Sequence, residues 1–185
     1  MGAETLERPL PKPTSEDYIN ARLIEALTEA WLAVEFLNRG LVRNAAGKAF
    51  QAWRALLAAL LRLELDKLLQ VARTDEEKTW LVSKAVPRVP TTRMKALSQM
   101  LEEVGHGGIS PWTDKALDLH DYQYNGPDLD LALSKYRNRD EAAMDIKLLI
   151  SELIRRIEEL KSRVKWGDEL EGALKALREG LGKAG

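Results

Sequence analysis

The stretch His120–Asp128 concentrates side chains that can do chemistry. It reads HDYQYNGPD and brings a histidine, two tyrosines and several carboxylates or amides together before a Gly-Pro turn. A histidine with the reference pKa of about 6.5 can carry a proton at neutral pH. Tyrosines offer hydroxyl groups, and a nucleic-acid base can stack on their rings. The stretch is therefore a candidate site for acid–base chemistry or for binding.

Lys115 precedes His120 by five residues and could steady a phosphate as a point charge. On an α-helix this separation places the two side chains about 140° apart. They would converge only if the helix is distorted or if a second subunit closes the site. Alternatively, His120, Tyr122 and Tyr124 fix a helix end to the rest of the fold through hydrogen bonds. The spacing leaves both interpretations open.

The pattern Lys115-x4-His120-x-Tyr122 resembles the Arg-x4-His-x-Tyr signature of HEPN domains, which are helical bundles that are often dimeric. In many HEPN proteins the arginine and histidine form a metal-independent ribonuclease site across the dimer interface. In some toxin–antitoxin pairs a partner nucleotidyltransferase modifies the motif tyrosine. The resemblance implies a homodimer, with His120 as the acid–base group, Lys115 as a phosphate contact and Tyr122 as a modification or stacking site.

Two longer stretches resemble the archaeal PaREP family, first described from dispersed repeats in a hyperthermophile genome. They are RNAAGKAFQAWRALLAALL, which starts at Arg43, and LHDYQYNGPDLDLALSKYRNRDEA, which starts at Leu119. The likeness spans most of residues 15–165. It implies a thermophilic archaeal protein with a HEPN-like helical fold, and it adds no biochemical role.

Position 115 departs from the HEPN signature, because lysine keeps the charge of arginine but lacks its two-pronged geometry for phosphate. Five aspartates and one lysine also lie between Asp114 and Asp130, whereas an RNA site normally carries an excess of positive charge. We therefore favour a binding or regulatory module that receives a nucleotide, RNA or a partner protein. The alternative is a HEPN-type ribonuclease with His120 as the acid–base group.

A second candidate site is a stretch without any acid, from Lys78 to Leu101. Its positive charge could bind phosphates, or it could meet the acidic stretch Asp114–Asp130 of a neighbouring subunit. An ordinary charged surface with cations near a helix C-terminus would give the same pattern. The candidate contacts to nucleotide, RNA or a partner, besides Tyr122 and Tyr124, are Lys84, Arg88, Arg93 and Lys95.

Gly47 lies within the helical pattern NAAGKAFQAW, where glycine costs about 1 kcal/mol relative to alanine. We expect a neighbouring helix to approach closely at this position. Lys48 could instead bind an anion at the helix N-terminus. No strand precedes the stretch, and the Gly-x-x-x-x-Gly-Lys spacing is absent, so we exclude a P-loop.

The composition limits the class of protein. The 185 residues are 45% hydrophobic and 31% charged, which is typical of a globular helical protein, and the net charge is only −1. With no cysteine and two histidines, we predict no disulfide, metal centre or cofactor. We expect a cytoplasmic protein without a membrane segment, because the N-terminus is polar and the apolar run Ala55–Leu61 is far shorter than the roughly 20 residues of a spanning helix.

Helical spacing and capping signals predict an all-α fold, an antiparallel bundle with short additional helices. The predicted parts are a flexible lead-in at 1–13, the bundle at 14–166 and an amphipathic C-terminal tail at 167–185. Gly40 and Gly105 should end helices, and Pro87 and Pro90 should interrupt one. The predicted N-caps are Thr14, Asn44, Thr74 and Ser110.

The last long helix is expected to begin near Arg139 and to end at Gly167. Its charged residues, among them Arg156, should be solvated. A leftover apolar stripe on this helix or on the tail could serve a homodimer. The core stripe has the alternating steps of three and four that suit nearly parallel packing, and consists of Ile146, Leu149, Leu153, Ile157, Leu160 and Val164.

Overall fold

The computed structural model describes residues 3–183, and all regular secondary structure in that range is helical. The predicted all-α class is confirmed. Two 3-10 turns, Ala3–Glu7 and Thr91–Arg93, and a π-helical turn, Leu81–Ala85, accompany the α-helices. These are α1 (Asp17–Asn38), α2 (Val42–Leu63), α3 (Leu65–Val71), α4 (Asp75–Trp80), α5 (Val86–Arg88), α6 (Met94–Glu103), α7 (Ile109–Asn125), α8 (Arg139–Glu159) and α9 (Asp168–Lys183).

Helix α2 is the centre of the bundle. Every side chain in 55–61 is buried, because α1, α7 and α8 all pack against this helix. Gly40 reverses the chain between α1 and α2: at a φ of +72° it donates its N–H to the Leu37 carbonyl, and Leu41 donates to the Phe36 carbonyl. No helix within residues 3–183 is both long and apolar enough to cross a lipid bilayer.

Two predicted N-caps near the start of the bundle are wrong. Helix α1 begins at Asp17, and the hydroxyl of Ser15, not Thr14, accepts the Asp17 N–H at 3.3 Å. Helix α2 begins directly after Leu41, so Asn44 lies inside its first turn. The glycine turn that ends α1 already leads the chain into α2, and no side chain is needed to start the helix.

Helix α7 also begins directly after a glycine turn, without a side-chain cap. Gly108 adopts a left-handed φ of +71° and leads directly into the helix, so Ser110 lies inside α7 instead of capping it. The Ser110 N–H donates to the Glu102 carboxylate at 2.8 Å. The predicted cap at Thr74 is confirmed, since its hydroxyl accepts the Glu77 N–H at 3.1 Å.

The chain remains helical at Pro87, contrary to the prediction. The π-helical turn Leu81–Ala85 precedes it, and Pro87 lies at the start of α5, where a missing N–H is tolerated. The helix ends at Val89, whose φ of +41° is left-handed, and Pro90 follows. The interruption predicted for both prolines therefore occurs only at the second.

Helix α8 carries the predicted core stripe, and its first five members are buried. The helix ends at Glu159, so the predicted end at Gly167 is wrong. Arg156 is not solvated but buried: its Nε donates to the Glu152 carboxylate at 2.6 Å, and its guanidinium donates to the Gly107 carbonyl at 3.1 Å. Arg156 thereby attaches the loop before α7 to α8.

Both ends of the described chain lie against α1. Helix α9 packs on α1 through the buried side chains of Leu170, Ala173, Leu174 and Leu177. The lead-in forms the short 3-10 turn Ala3–Glu7, and Arg8 places a guanidinium nitrogen 2.6 Å from a carboxylate oxygen of Glu169. The apolar stripe of the tail is therefore covered within the same chain.

Glu64, between α2 and α3, is a buried carboxylate that joins three parts of the fold. His106 Nε2 lies 2.9 Å from its Oε1, Lys67 Nζ lies 2.8 Å from its Oε2, and Arg163 donates to it from the turn after α8. Burial would raise the pKa of Glu64, but these hydrogen bonds outweigh it and hold the pKa at about 2.

The pKa of Glu64 is lower in the folded chain than in the unfolded chain. The ionised carboxylate therefore stabilises the fold above the ordinary pKa of about 4.3, and this stabilisation is lost as the pH falls toward 2.

We expect Glu64→Gln to lower the free energy of unfolding at pH 7 by about 1–3 kcal/mol, since two of the three partners are partly exposed. Urea unfolding should show this difference shrinking toward pH 2. The exposed control Glu169→Gln should change stability by less than about 0.5 kcal/mol. An undiminished difference at low pH would contradict this role.

Candidate functional site

Helix α7 carries the predicted site residues Lys115, His120, Tyr122 and Tyr124, but their side chains face different neighbours. Lys115 points to α8, where its Nζ lies 2.5 Å from Oδ1 of Asp145. The hydroxyl of Tyr136 donates to the other oxygen of Asp145 at 3.0 Å. Lys115 is therefore held in an ion pair on the α8 side of the helix, and a single chain does not bring it to His120.

His120 lies on the α2 side of α7. Its imidazole stacks on the Phe50 ring with centroids 4.1 Å apart, and Tyr124 meets it edge-on at 5.2 Å. The ring is half-buried, and Nδ1 is buried without a hydrogen-bond partner among the described residues. Ring contacts, rather than the hydrogen bonds considered for the structural alternative, hold this histidine.

The surroundings of His120 favour its neutral form. Burial lowers the pKa of His120 below 6.5, the positive charge of Arg54 lowers it further, and Asp121 opposes both. A neutral imidazole can accept a proton or a hydrogen bond. Since Nδ1 has no partner, the ring retains an unused polar atom at the boundary between α2 and α7.

Tyr122 belongs to the core. Its side chain is 1% exposed, and its ring meets Tyr136 edge-on at a centroid distance of 5.5 Å. Burial raises the pKa of its hydroxyl. The structure therefore places this candidate stacking or modification residue where neither a base nor an enzyme can reach the ring.

Tyr124 is the accessible tyrosine of the motif, at 65% exposure. Its position is fixed through the backbone: Arg43 of α2 donates to the Gln123 carbonyl at 3.1 Å and also to the Tyr124 carbonyl. Gly126 follows at a left-handed φ of +69° and ends α7. The turn predicted at Asn125–Asp128 lies further along the chain, where Leu131 donates its N–H to the Asp128 carbonyl at 3.2 Å, and Arg43 attaches the end of α7 to α2.

Gly47 lies against the side chain of Gln123, where α7 packs on α2. A Cβ built on this residue would lie 2.6–2.9 Å from the carboxamide atoms of Gln123, closer than atoms in contact allow. The expected close helix packing therefore occurs, and α7 is the partner. Lys48 faces the other side of α2, where its Nζ lies 2.9 Å from Oε2 of the buried Glu29.

Two of the aspartates that were expected to repel phosphate already have partners within the chain. Asp114 lies 3.1 Å from the Nζ of Lys95. Asp128 accepts backbone N–H groups from Leu133 at 2.7 Å and from Asp130 at 3.1 Å, and these bonds lower its pKa. The acidic stretch therefore organises its own loop and pairs with the positive stretch inside one chain, so a neighbouring subunit is not needed for that contact.

Trp80, Lys84, Arg88 and Arg93, which we call the basic surface, lie around the π-helical turn. The three cations are exposed, and Arg93 lies over the half-buried Trp80 ring at 5.2 Å. Within residues 3–183, Lys84 and Arg88 have neither a hydrogen bond nor an ion pair from their side chains. Lys95, the fourth predicted cation, is paired with Asp114.

Arg54 is a residue that the sequence did not single out, and its positive charge helps to lower the pKa of His120. One signal could have found it: Arg54 follows Gly47 by seven residues and Phe50 by four, so the three share a face of α2. The part of the chain that the structure describes holds no group of three or more His, Asp or Glu side chains placed to bind a metal ion.

A family model described as the archaeal PaREP1/PaREP8 family matches residues 21–147. This range includes most of α1, all of α2 and α7, and the basic surface. Comparison with curated proteins and with solved structures found no match.

The contact at Gly47 can be tested by a double-mutant cycle. In the wild-type chain, Gly47→Ala should give no gain or a loss of stability, because the added methyl collides with Gln123. In a Gln123→Ala chain the same change should stabilise by about 1 kcal/mol, the helix-propensity gain of alanine over glycine. Chemical denaturation of the four proteins gives the coupling. Equal effects in both backgrounds would show that Gln123 does not cover Gly47.

Proposed function

We propose that this chain, which belongs to the archaeal PaREP1/PaREP8 family, is a helical module that binds single-stranded RNA. The observation that carries the proposal is the basic surface, where Arg93 lies over the Trp80 ring and Lys84 and Arg88 are exposed cations without protein partners among the described residues. Cations bind the phosphates of a single strand, and aromatic rings stack with its bases irrespective of sequence. The ordinary alternative is a charged surface whose cations neutralise helix C-termini, since Lys84 and Arg88 each lie in the last turn of a helix, and the RNA-binding measurement decides between the two.

The charge balance of the acidic stretch supports the same proposal. Asp114 is paired with Lys95, and Asp128 is occupied by backbone N–H groups. These two carboxylates therefore repel an approaching phosphate less than the count of aspartates suggested. The net charge of −1 remains too small to oppose a local positive patch at physiological salt, where charges are screened beyond about 8 Å.

Binding is favoured over catalysis because Lys115, the cation that the ribonuclease alternative requires, is already engaged in an ion pair within its own chain. Lys115 is paired with Asp145 on α8, while His120 stacks on Phe50 of α2. A general acid–base pair must reach the same reacting group, within about 3 Å each. His120 is consequently proposed as a contact residue and not as a catalytic one.

We further propose a HEPN-like homodimer that works in the cytoplasm, where a chain without cysteine fits the reducing conditions. Exposed apolar side chains on the α7–α8 loop and on α8 support the dimer: Leu129, Leu133, Met144 and Leu148. We propose no nucleotidyltransferase partner, because such an enzyme would have to reach Tyr122, whose side chain is 1% exposed.

The basic surface predicts which substitutions weaken RNA binding. Lys84→Gln with Arg88→Gln should reduce the affinity for a fluorescent single-stranded RNA, measured by anisotropy. It should also lower the slope of log affinity against log salt by about 1.4, since each phosphate contact contributes about 0.7. The matched control is Lys175→Gln with Lys183→Gln, which removes two exposed charges from α9 and should leave both quantities unchanged. Equal losses in the two double variants would contradict a specific surface.

The same proposal predicts that the bound RNA stays intact. After prolonged incubation with the protein at several pH values, the labelled RNA should migrate at full length, and His120→Ala should behave like the wild type. Cleavage by the wild type that disappears in His120→Ala would overturn the binding-module assignment and establish the ribonuclease.

A further inference from the structure

A cavity lies between the lead-in, the first half of α1 and the start of α9. Its volume is about 500 Å³, within the roughly 300–1,000 Å³ that small-molecule sites occupy. Asn20 of α1 donates its side-chain N–H to the Lys165 carbonyl at 2.5 Å and so attaches the segment before α9 to α1. Most of the lining lies outside residues 21–147, so the cavity belongs mainly to segments that the family model does not match.

One side of the cavity is an apolar wall, formed by Leu6, Leu10, Ile24 and Leu170. Ile24 and Leu170 are buried, whereas Leu10 is 44% exposed. A proline lies on each side of Leu10 and restricts the backbone there, so the wall is in place without a ligand. The hydrocarbon part of a ligand would remove the exposed part of Leu10 from water, and this burial favours binding.

Two ion pairs at the cavity are formed within the chain. Arg8 of the lead-in places a guanidinium nitrogen 2.6 Å from a carboxylate oxygen of Glu169, which joins the lead-in to α9. Glu25 lies 2.7 Å from a guanidinium nitrogen of Arg22, one turn earlier on α1. These contacts hold the cavity together, and they neutralise two of its four carboxylates.

The other two carboxylates, Asp17 and Asp168, give the cavity an excess of negative charge. Both residues are exposed, and neither side chain has a hydrogen bond or an ion pair with a described residue. Lys165 is the one lining cation that the two ion pairs leave over among the described residues. A ligand that complements this charge distribution carries a positive group.

We propose that this cavity binds a small organic amine, with its ammonium group at Asp17 and Asp168 and its hydrocarbon body against the apolar wall. A carboxylate accepts charge-assisted hydrogen bonds from an ammonium group, and these are stronger than bonds between neutral groups. Each aspartate is also the first residue of its helix, where negative charge is favourable without any ligand. Probes that differ only in charge separate these two roles. The inference does not depend on the proposed RNA binding.

Amide NMR titration of the full chain with hexylamine, hexanol and hexanoate tests this site. Hexylamine should bind most tightly and hexanoate least, because the three probes have similar hydrocarbon bodies and differ in charge. The signals that shift should include those of Asp17, Ala21 and Leu170. Asp17→Asn together with Asp168→Asn should weaken hexylamine about tenfold and leave hexanol unchanged. The control Glu179→Gln, an exposed carboxylate near the other end of α9, should match the wild type.

A second variant tests the space in the cavity. Ala21 lines it, so Ala21→Leu should fill it and abolish the binding of hexylamine and hexanol, while the good helix propensity of leucine keeps α1 intact. Circular dichroism checks that this variant folds, and the double aspartate variant decides the matter if it does not. The proposal is overturned if hexanoate binds as tightly as hexylamine, if hexylamine affinity survives the double substitution, or if the shifted amides lie only on other surfaces.

Discussion

The structure depends on the complete burial of one segment of α2, residues 55–61. The side chains of α2 between Ala55 and Leu61 are apolar on every side, so the helix is stable only when α1, α7 and α8 surround it. Hydrophobic burial at about 25 cal/mol per Å² provides the driving force. The absent side chain of Gly47 leaves room for the Gln123 carboxamide of α7, and on the same face of α2 the Phe50 ring stacks with His120. The positions of the candidate ligand contacts thus follow from core packing.

Charged groups in the described chain divide into those that contact protein partners and those that do not. Glu64, Arg156 and the pair Lys115–Asp145 connect loops or helices that are distant in sequence, and all of them are engaged by protein partners. Lys84 and Arg88 of the basic surface have no such partner among the described residues. Their exposed charge is the feature on which the proposed RNA binding rests.

Features set by local sequence could be predicted, whereas features set by tertiary contacts could not. The core stripe of α8 and the turn at Gly40 depend on residues within two helical turns, and both are present as expected. The helix starts at Asn44 and Ser110 were misjudged, because left-handed glycines upstream begin those helices. The ion pair between Lys115 and Asp145 forms only in the packed bundle, and so does the electrostatic effect of Arg54 on His120. The periodicity of the sequence contains no information about either.

Photocrosslinking of a 4-thiouridine-labelled single-stranded RNA, followed by mass spectrometry of the digested protein, tests most directly whether the chain binds RNA through the surfaces described above. The account predicts adducts in the peptides that contain Trp80, the ring under Arg93, and Tyr124, whose ring is 65% exposed. These adducts should disappear when unlabelled RNA competes. Adducts confined to peptides of α9, or none at protein concentrations well above the measured dissociation constant, would contradict it.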